Sequence, residues 1–187
     1  MKLKELCSET LPGDLDLSEE ILIGPDLCRE MPRLAAEHAG RRPLWIADPR
    51  TWAALAQADP SRASGLPESG PGLHMLPEDP HADTEQVGLA CAALEAGGFS
   101  GIIALGAGTV NDIAKMAATL SGVPYIALGT AASMNGYASG IAAILVDGLK
   151  TTLPARPPRA IVLDSKVLCQ APPALAAAGL GDLLSKP

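Results

Sequence analysis

The sequence predicts an α/β fold: a parallel sheet with helices on both faces and one added β-hairpin. Three observations predict it. Short apolar runs alternate with helical patterns from residue 21 to residue 128, in the order β-α-β-α-β-α-β-α-β. The run Gly101-Ile102-Ile103-Ala104-Leu105 passes through Gly106-Ala107-Gly108 into a helical pattern, which reads strand, glycine turn, helix. Asp147-Gly148 separates two further strand-like runs, and Asp-Gly favours a tight hairpin turn.

Each element has a local reason. Ile21-Leu22-Ile23 is a short strand punctuated by Gly24-Pro25. Asp26 is placed to cap a helix running to about residue 39, with Leu27, Met31, Leu34 and Ala35 on one face. Pro32 either kinks that helix or marks its true first turn. Residues 43–47 form a buried strand ending at Asp48, and a helix spans 49–58. Residues 59–72, with several Pro, Gly and Ser, form a surface loop. Residues 73–76 are a short strand. The alanine- and leucine-rich helix at 84–96 is closed by Gly97-Gly98. After the strand at 101–105 and its helix at 109–121, Tyr125-Ile126-Ala127-Leu128 is the next strand. A loop of small and hydroxylated residues covers 129–140, and the hairpin covers 142–153. The stiff connector 154–158 leads to a last strand at 160–163, ending at Asp164. A helical turn at 166–170 follows. Pro172-Pro173 opens an alanine-rich helix to 178, and Gly179 begins a new element.

Composition narrows the function. A chain of 187 residues can bury one full domain core. The net charge of −7 argues against a nucleic-acid partner, which needs a basic face. No apolar run approaches the roughly 18 residues of a membrane span. The start, Met1-Lys2-Leu3-Lys4-Glu5-Leu6, lacks the apolar core of a secretory signal, so the expected location is the cytoplasm. Cys7, Cys28, Cys91 and Cys169 form no C-x-x-C pair and read as buried or half-buried free thiols. His38, His74 and His81 form no ligand pair and read as surface residues.

The candidate site lies at the carboxyl ends of the strands, where open parallel sheets bind ligands. Gly106 and Gly108 let the backbone approach a ligand, and the N–H groups of the next helix can hold a phosphate. The turn is not the G-x-G-x-x-G fingerprint, because Asn111 stands where the third glycine would be. Thr109 with Asp112 also matches a capping box, which would satisfy only the helix end. Asp48 can accept hydrogen bonds from adenosine ribose hydroxyls and would then repel a 2′-phosphate, with Arg50 close enough to offset that repulsion. Equally, Asp48 can cap the helix that starts at Pro49. Lys150 either approaches the cofactor phosphate or ribose or is a solvated hairpin lysine, and Lys115 reads as a helix-surface charge.

Three segments occur in order: Gly106-Ala107-Gly108-Thr109-Val110-Asn111-Asp112, then Thr130-Ala131-Ala132-Ser133-Met134-Asn135-Gly136-Tyr137-Ala138-Ser139, then Gly179-Leu180-Gly181-Asp182-Leu183-Leu184-Ser185-Lys186. Together they resemble the N-terminal half of sn-glycerol-1-phosphate dehydrogenases. That family belongs to the glycerol dehydrogenase and iron-type alcohol dehydrogenase group, which is similar in fold to dehydroquinate synthase. The resemblance covers about residues 15–187. It implies a Rossmann-like domain at 1–170 that binds NAD or NADP, and at 171–187 the start of a helical metal-binding domain whose remainder the sequence lacks.

By the same resemblance, Gly106, Gly108 and Thr109 bind the cofactor, and Thr130 and Ser133 lie along it toward the nicotinamide. Asp182 is one ligand of a catalytic divalent metal, zinc foremost, with nickel or iron in some members. The metal would polarise the substrate hydroxyl. The implied substrate is a small polyol phosphate, sn-glycerol-1-phosphate or dihydroxyacetone phosphate. Asn135 stands where the family carries a substrate-contacting aspartate, so it keeps a hydrogen bond and loses a charge. The family's other metal ligands are histidines of the helical domain, and His38, His74 and His81 do not match them. Isolated turnover is therefore expected to be weak, and exposed apolar surface on the final helices is expected to drive self-association. Two other readings remain: a stand-alone, non-catalytic nucleotide-binding module, and a dehydroquinate synthase-like lyase.

Overall fold

The computed structural model of this chain describes residues 17–58 and 72–185. Cys7 and most of the loop expected at 59–72 lie outside the described residues. The strands are β1 (Glu20–Gly24), β2 (Pro43–Ala47), β3 (Leu73–Met75), β4 (Gly101–Leu105), β5 (Tyr125–Leu128), β6 (Ile141–Val146), β7 (Leu149–Pro154) and β8 (Ala160–Asp164). Six of them form one sheet in the order β1-β8-β5-β4-β2-β3, and every neighbouring pair is parallel. Strands β6 and β7 pair antiparallel as a separate hairpin. Its turn places Asp147 at φ 51 and Gly148 at φ 78, the two left-handed positions that match the twist of a tight hairpin.

Helices cover both faces of the sheet. The first helical segment, α1, joins a 3-10 turn (Leu27–Glu30), an α-turn (Met31–Leu34) and a π-turn (Ala35–Ala39). The others are α2 (Pro49–Ala58), α3 (Thr84–Gly97), α4 (Gly108–Ser121), α5 (Ser165–Leu168) and α6 (Pro173–Leu184). Strand residues alternate between two cores. Leu44, Ile46, Ile102, Ala104, Ala127 and Ile161 pack with α3, α4 and the hairpin. Trp45, Ala47, Ile103, Leu105, Ile126 and Val162 pack with α1, α2 and α5. A parallel sheet buried on both faces needs apolar residues at both parities, which is why these strands read as unbroken apolar runs. No helix among the described residues is long and apolar enough to cross a membrane.

Five sequence expectations need correction. Asp26 does not cap α1: it sits at φ 60 without a capping bond, and its carboxylate accepts from Lys166 Nζ at 2.9 Å. The start of α1 is held instead by Asp164, whose Oδ2 accepts from the Cys28 N–H at 3.0 Å. Pro32 lies in the first turn of the α-helical part, where it costs no hydrogen bond. The alanine-rich helix does not stop at 178, because α6 runs unbroken through Gly179 and Gly181. His38 and His74 are not surface residues. His38 exposes 8% of its side chain between Glu19 and Glu20, and burial pushes the His74 imidazole below its usual pKa. Cys169 is exposed, whereas Cys28 and Cys91 are half-buried.

The fifth correction concerns Lys115, which is fully buried on α4. Its ammonium donates to the Gly136 carbonyl at 2.9 Å, to Ser139 Oγ at 3.0 Å and to the Ile141 carbonyl at 3.0 Å. Three donors thus meet three acceptors, all from the segment that follows β5. Burial pushes the ammonium below its usual pKa, and the Asp112 carboxylate opposes that shift.

Lys115→Met should remove the donors, leave the Ser139 hydroxyl to serve only one of the two carbonyls, and destabilise the fold by about 3 kcal/mol in urea denaturation. A loss under about 0.5 kcal/mol would contradict this account. At the amino ends of the strands, the Arg33 guanidinium donates to both oxygens of Glu20 and to Glu30 and Glu37. The Arg33 hydrogen bonds hold the Glu20 carboxyl below its ordinary 4.5, against an opposing burial effect and with help from His38. This contribution is therefore fully present above pH 4.5 and is lost as pH falls through the lowered folded value. Arg33→Ala should lower the melting temperature more at pH 7 than at about pH 3; an equal loss at both would refute the linkage.

Candidate functional site

The strand order places the site. The chain steps from β2 outward to the edge strand β3, then crosses back to β4 on the other side of β2. The connections after β2 and β4 therefore part in opposite directions, and a crevice opens beyond their carboxyl ends. A cavity of about 560 Å³ lies there, lined by Asp48, Gly108, Thr109, Thr130 and Ser133 among others. Residues far apart in the chain are brought together by the shared end of a parallel sheet.

Asp48 follows β2 and is 4% exposed. Its Oδ1 accepts from the Thr51 N–H at 2.8 Å, and its own N–H donates to Thr51 Oγ1 at 3.1 Å. This reciprocal pair caps α2, with Pro49 in the first helical position. The capping function expected for Asp48 is present, and the same carboxylate borders the cavity.

The glycine turn follows β4. The Gly106 N–H donates to the Leu128 carbonyl at 3.0 Å, which ties the turn to β5. A Cβ on Gly106 would lie 2.4 Å from Val110 Cβ, so the turn is pressed against the first turn of α4. Gly108 differs. Its φ is 27, and a Cβ there would meet nothing within 4 Å. The backbone at the head of α4 is thus open toward the cavity. Thr109 and Asp112 do not form the capping box. The cap position is Ala107, which has no side-chain cap, and Asp112 Oδ2 accepts from the Ala143 N–H of the hairpin at 3.4 Å. Burial raises the Asp112 carboxyl above its usual pKa; Lys115, the Ala143 N–H and Lys150 oppose that shift.

Thr130 and Ser133 come from the segment after β5. Thr130 is buried and both residues line the cavity. Tyr137 pins the segment: its hydroxyl donates to the Ala131 carbonyl at 2.9 Å and reaches the Gly106 carbonyl at 3.4 Å. Asn135 and Asp182 meet, because the Asn135 N–H donates to Asp182 Oδ2 at 3.0 Å. Neither lines the cavity. Lys150 is exposed on β7 opposite Leu145, also away from the cavity lining. Among the described residues, the one His/Cys/Asp/Glu group close enough to hold a metal is Glu20, Glu37 and His38, at the amino ends of the strands. Arg33 already occupies both of its carboxylates. Asp182 belongs to no such group, so the residues described do not form a catalytic metal site.

Two contributors were missed in the sequence. One is α6, whose Leu175 lines the cavity together with Pro172 and Gln170 just ahead of it. The other is Lys115, which clamps residues 136–141 just beyond the Thr130–Ser133 stretch; its signal was a lone charge inside the buried run of 113–118. The α6 contact is tight: a Cβ on Gly179 would lie 1.9 Å from the Ala132 carbonyl. Gly179→Ala should therefore push α6 off the segment and cost about 2 kcal/mol. Amide exchange should quicken in α6 and in 130–135 and stay unchanged in β4; unchanged exchange in α6 would count against the contact.

Residues 22–172 match the model of the iron-containing alcohol dehydrogenase family. A glycerol-1-phosphate dehydrogenase [NAD(P)+] of Bacillus velezensis is 34% identical over 170 residues, covering 90% of this chain and 43% of that protein. The corresponding protein of Geobacillus thermodenitrificans is 45% identical over 84 residues, covering 45% of this chain and 21% of that protein. In structure, glycerol dehydrogenase of Schizosaccharomyces pombe superposes with a TM-score of 0.73 at 20% identity, covering 94% of this chain and 44% of the other. The chain thus spans less than half the length of each of these relatives.

Proposed function

We propose that this chain, which belongs to the iron-containing alcohol dehydrogenase family, is the cofactor-binding half of an NAD(P)-dependent dehydrogenase. The observation that carries the reading is the cavity at the switch between β2 and β4, bordered by a fixed carboxylate, an uncovered glycine turn and a hydroxyl-bearing segment. These residues fit a nicotinamide dinucleotide. Asp48 would accept from ribose hydroxyls. Gly106, Gly108 and Thr109 would hold the pyrophosphate at the open head of α4, whose first N–H groups have no side-chain cap. Thr130 and Ser133 would line the path toward the nicotinamide. Lys150 is not among the lining residues and would act on a bound cofactor only through its charge. When bound, the nicotinamide would supply hydride exchange between an alcohol and its carbonyl.

The substrate we infer is a polyol phosphate of the sn-glycerol-1-phosphate kind, a reading supported by the Bacillus velezensis relative. Asn135 is the residue of this chain we assign to substrate contact. We assign Asp182 as a single ligand toward a divalent metal, whose other ligands the described residues do not gather. The loop clamped by Lys115 and Tyr137 would orient Ser133 and Asn135 together, because one segment carries both. Residues 171–187 are read as the opening of a following helical unit. The exposed Leu180, Leu183 and Leu184 of α6 support that reading and the expectation of self-association.

Titration with NADH tests the cofactor reading. Trp45 is buried on β2 three residues before Asp48 and stands edge-on to Trp52 at 6.5 Å. Saturable quenching of tryptophan emission is expected. Asp48→Asn keeps a capping side chain and loses the charge, and should weaken NADH binding about tenfold. Absence of quenching, or quenching indifferent to Asp48→Asn, would overturn the assignment.

A further inference from the structure

We infer that Arg50, paired with Asp79 across the rim of the cavity, is the residue that admits a 2′-phosphorylated nicotinamide cofactor. The inference rests on the dinucleotide reading of the cavity and deepens it. Asp48 alone would exclude such a cofactor. Its carboxylate is buried, and the Thr51 N–H holds one oxygen at 2.8 Å, so it cannot swing away from a ligand at the end of β2. A phosphate monoester there meets a negative charge that cannot move.

Arg50 lies two residues further on, in the first turn of α2. Among the described residues lining the cavity, it is the one cation. Its side chain is 63% exposed, and Asp79 is 88% exposed. The contact between them is a single one, Arg50 Nη2 to Asp79 Oδ1 at 3.4 Å. An exposed, long, monodentate pair of this kind contributes little. The guanidinium is therefore free to turn to a stronger acceptor. A phosphate dianion is that acceptor, because the planar fork meets two of its oxygens at once. The head of α2 adds its partial positive charge on the same side. An unphosphorylated ribose offers neither the charge nor the second acceptor, so Arg50 contributes little to its binding.

Asp79 sets the balance. It competes with the phosphate for Arg50 and repels it directly. Two carboxylates and one guanidinium thus border this end of the cavity. Removing Arg50 should leave a site for the unphosphorylated cofactor alone, and removing the Asp79 charge should favour the phosphorylated one.

The test is a pair of tryptophan-quenching titrations, with NADH and with NADPH, on the whole chain and on Arg50→Gln and Asp79→Asn. Both positions are exposed, and matching circular dichroism spectra would verify that the variants fold. The wild-type chain should bind both cofactors. Arg50→Gln should weaken NADPH about tenfold and change NADH less than about twofold. Asp79→Asn should tighten NADPH about threefold with NADH unchanged. A constant ratio of the two affinities across all three proteins overturns the inference, as does a wild-type chain that binds NADH and not NADPH. In both cases the dinucleotide reading survives. Binding of neither cofactor removes that reading as well, so the two failures are distinct.

Discussion

Parallel pairing is the constraint on which the rest of this structure depends. All five ladders of the six-stranded sheet are parallel. Every strand therefore ends at the same edge, and every return crosses a face of the sheet. Helices cover those faces because a parallel sheet cannot leave one side in water. The reversal of strand order around β2 then leaves one place where the covering elements part. The cavity between Asp48 and Gly108 is a consequence of topology before it is a consequence of any side chain.

Side chains decide what that opening presents. Asp48 and Asp164, at the ends of β2 and β8, each spend one oxygen on the helix that follows. Capping keeps a buried carboxylate in place, because the helix N–H compensates for its lost hydration. Asp164 uses its second oxygen on Cys28 and so joins α1 to α5. Asp48 instead stands beside the cavity. The same residue type at equivalent strand ends thus serves packing in one case and is available to a ligand in the other.

The segment after β5 packs Tyr137 and Met134 on the core and is held in addition by polar contacts. Lys115 supplies three donors from below and Tyr137 bonds back to the Ala131 carbonyl. A buried ammonium is costly unless every donor is used, and here every donor is used. The arrangement fixes the backbone that carries Thr130, Ser133 and Asn135 without placing a charge in the cavity. Gly179 lets α6 close against the same segment, so the loop is held from two sides.

The sequence by itself determined the strands, most of the helices and the hairpin. Unbroken apolar runs such as 101–105 declare strands buried on both faces, and Asp147-Gly148 supplies the two left-handed residues its turn requires. The ends of those strands also marked where the cavity opens, because Asp48, Gly106-Gly108 and Thr130-Ser133 each follow an apolar run. Only the tertiary structure decided how the polar residues were used. Lys115 reads as a surface charge until residues 136–141 pack over α4 and bring three acceptors to it. Asp26 reads as a cap until Lys166, 140 residues away, takes its carboxylate. Gly179 reads as a helix end until the Ala132 carbonyl approaches too closely for any Cβ. Apolar periodicity is a local property, set by which face is buried. The partner of a charge or the neighbour of a glycine is set by segments distant in the chain, and no local pattern encodes it.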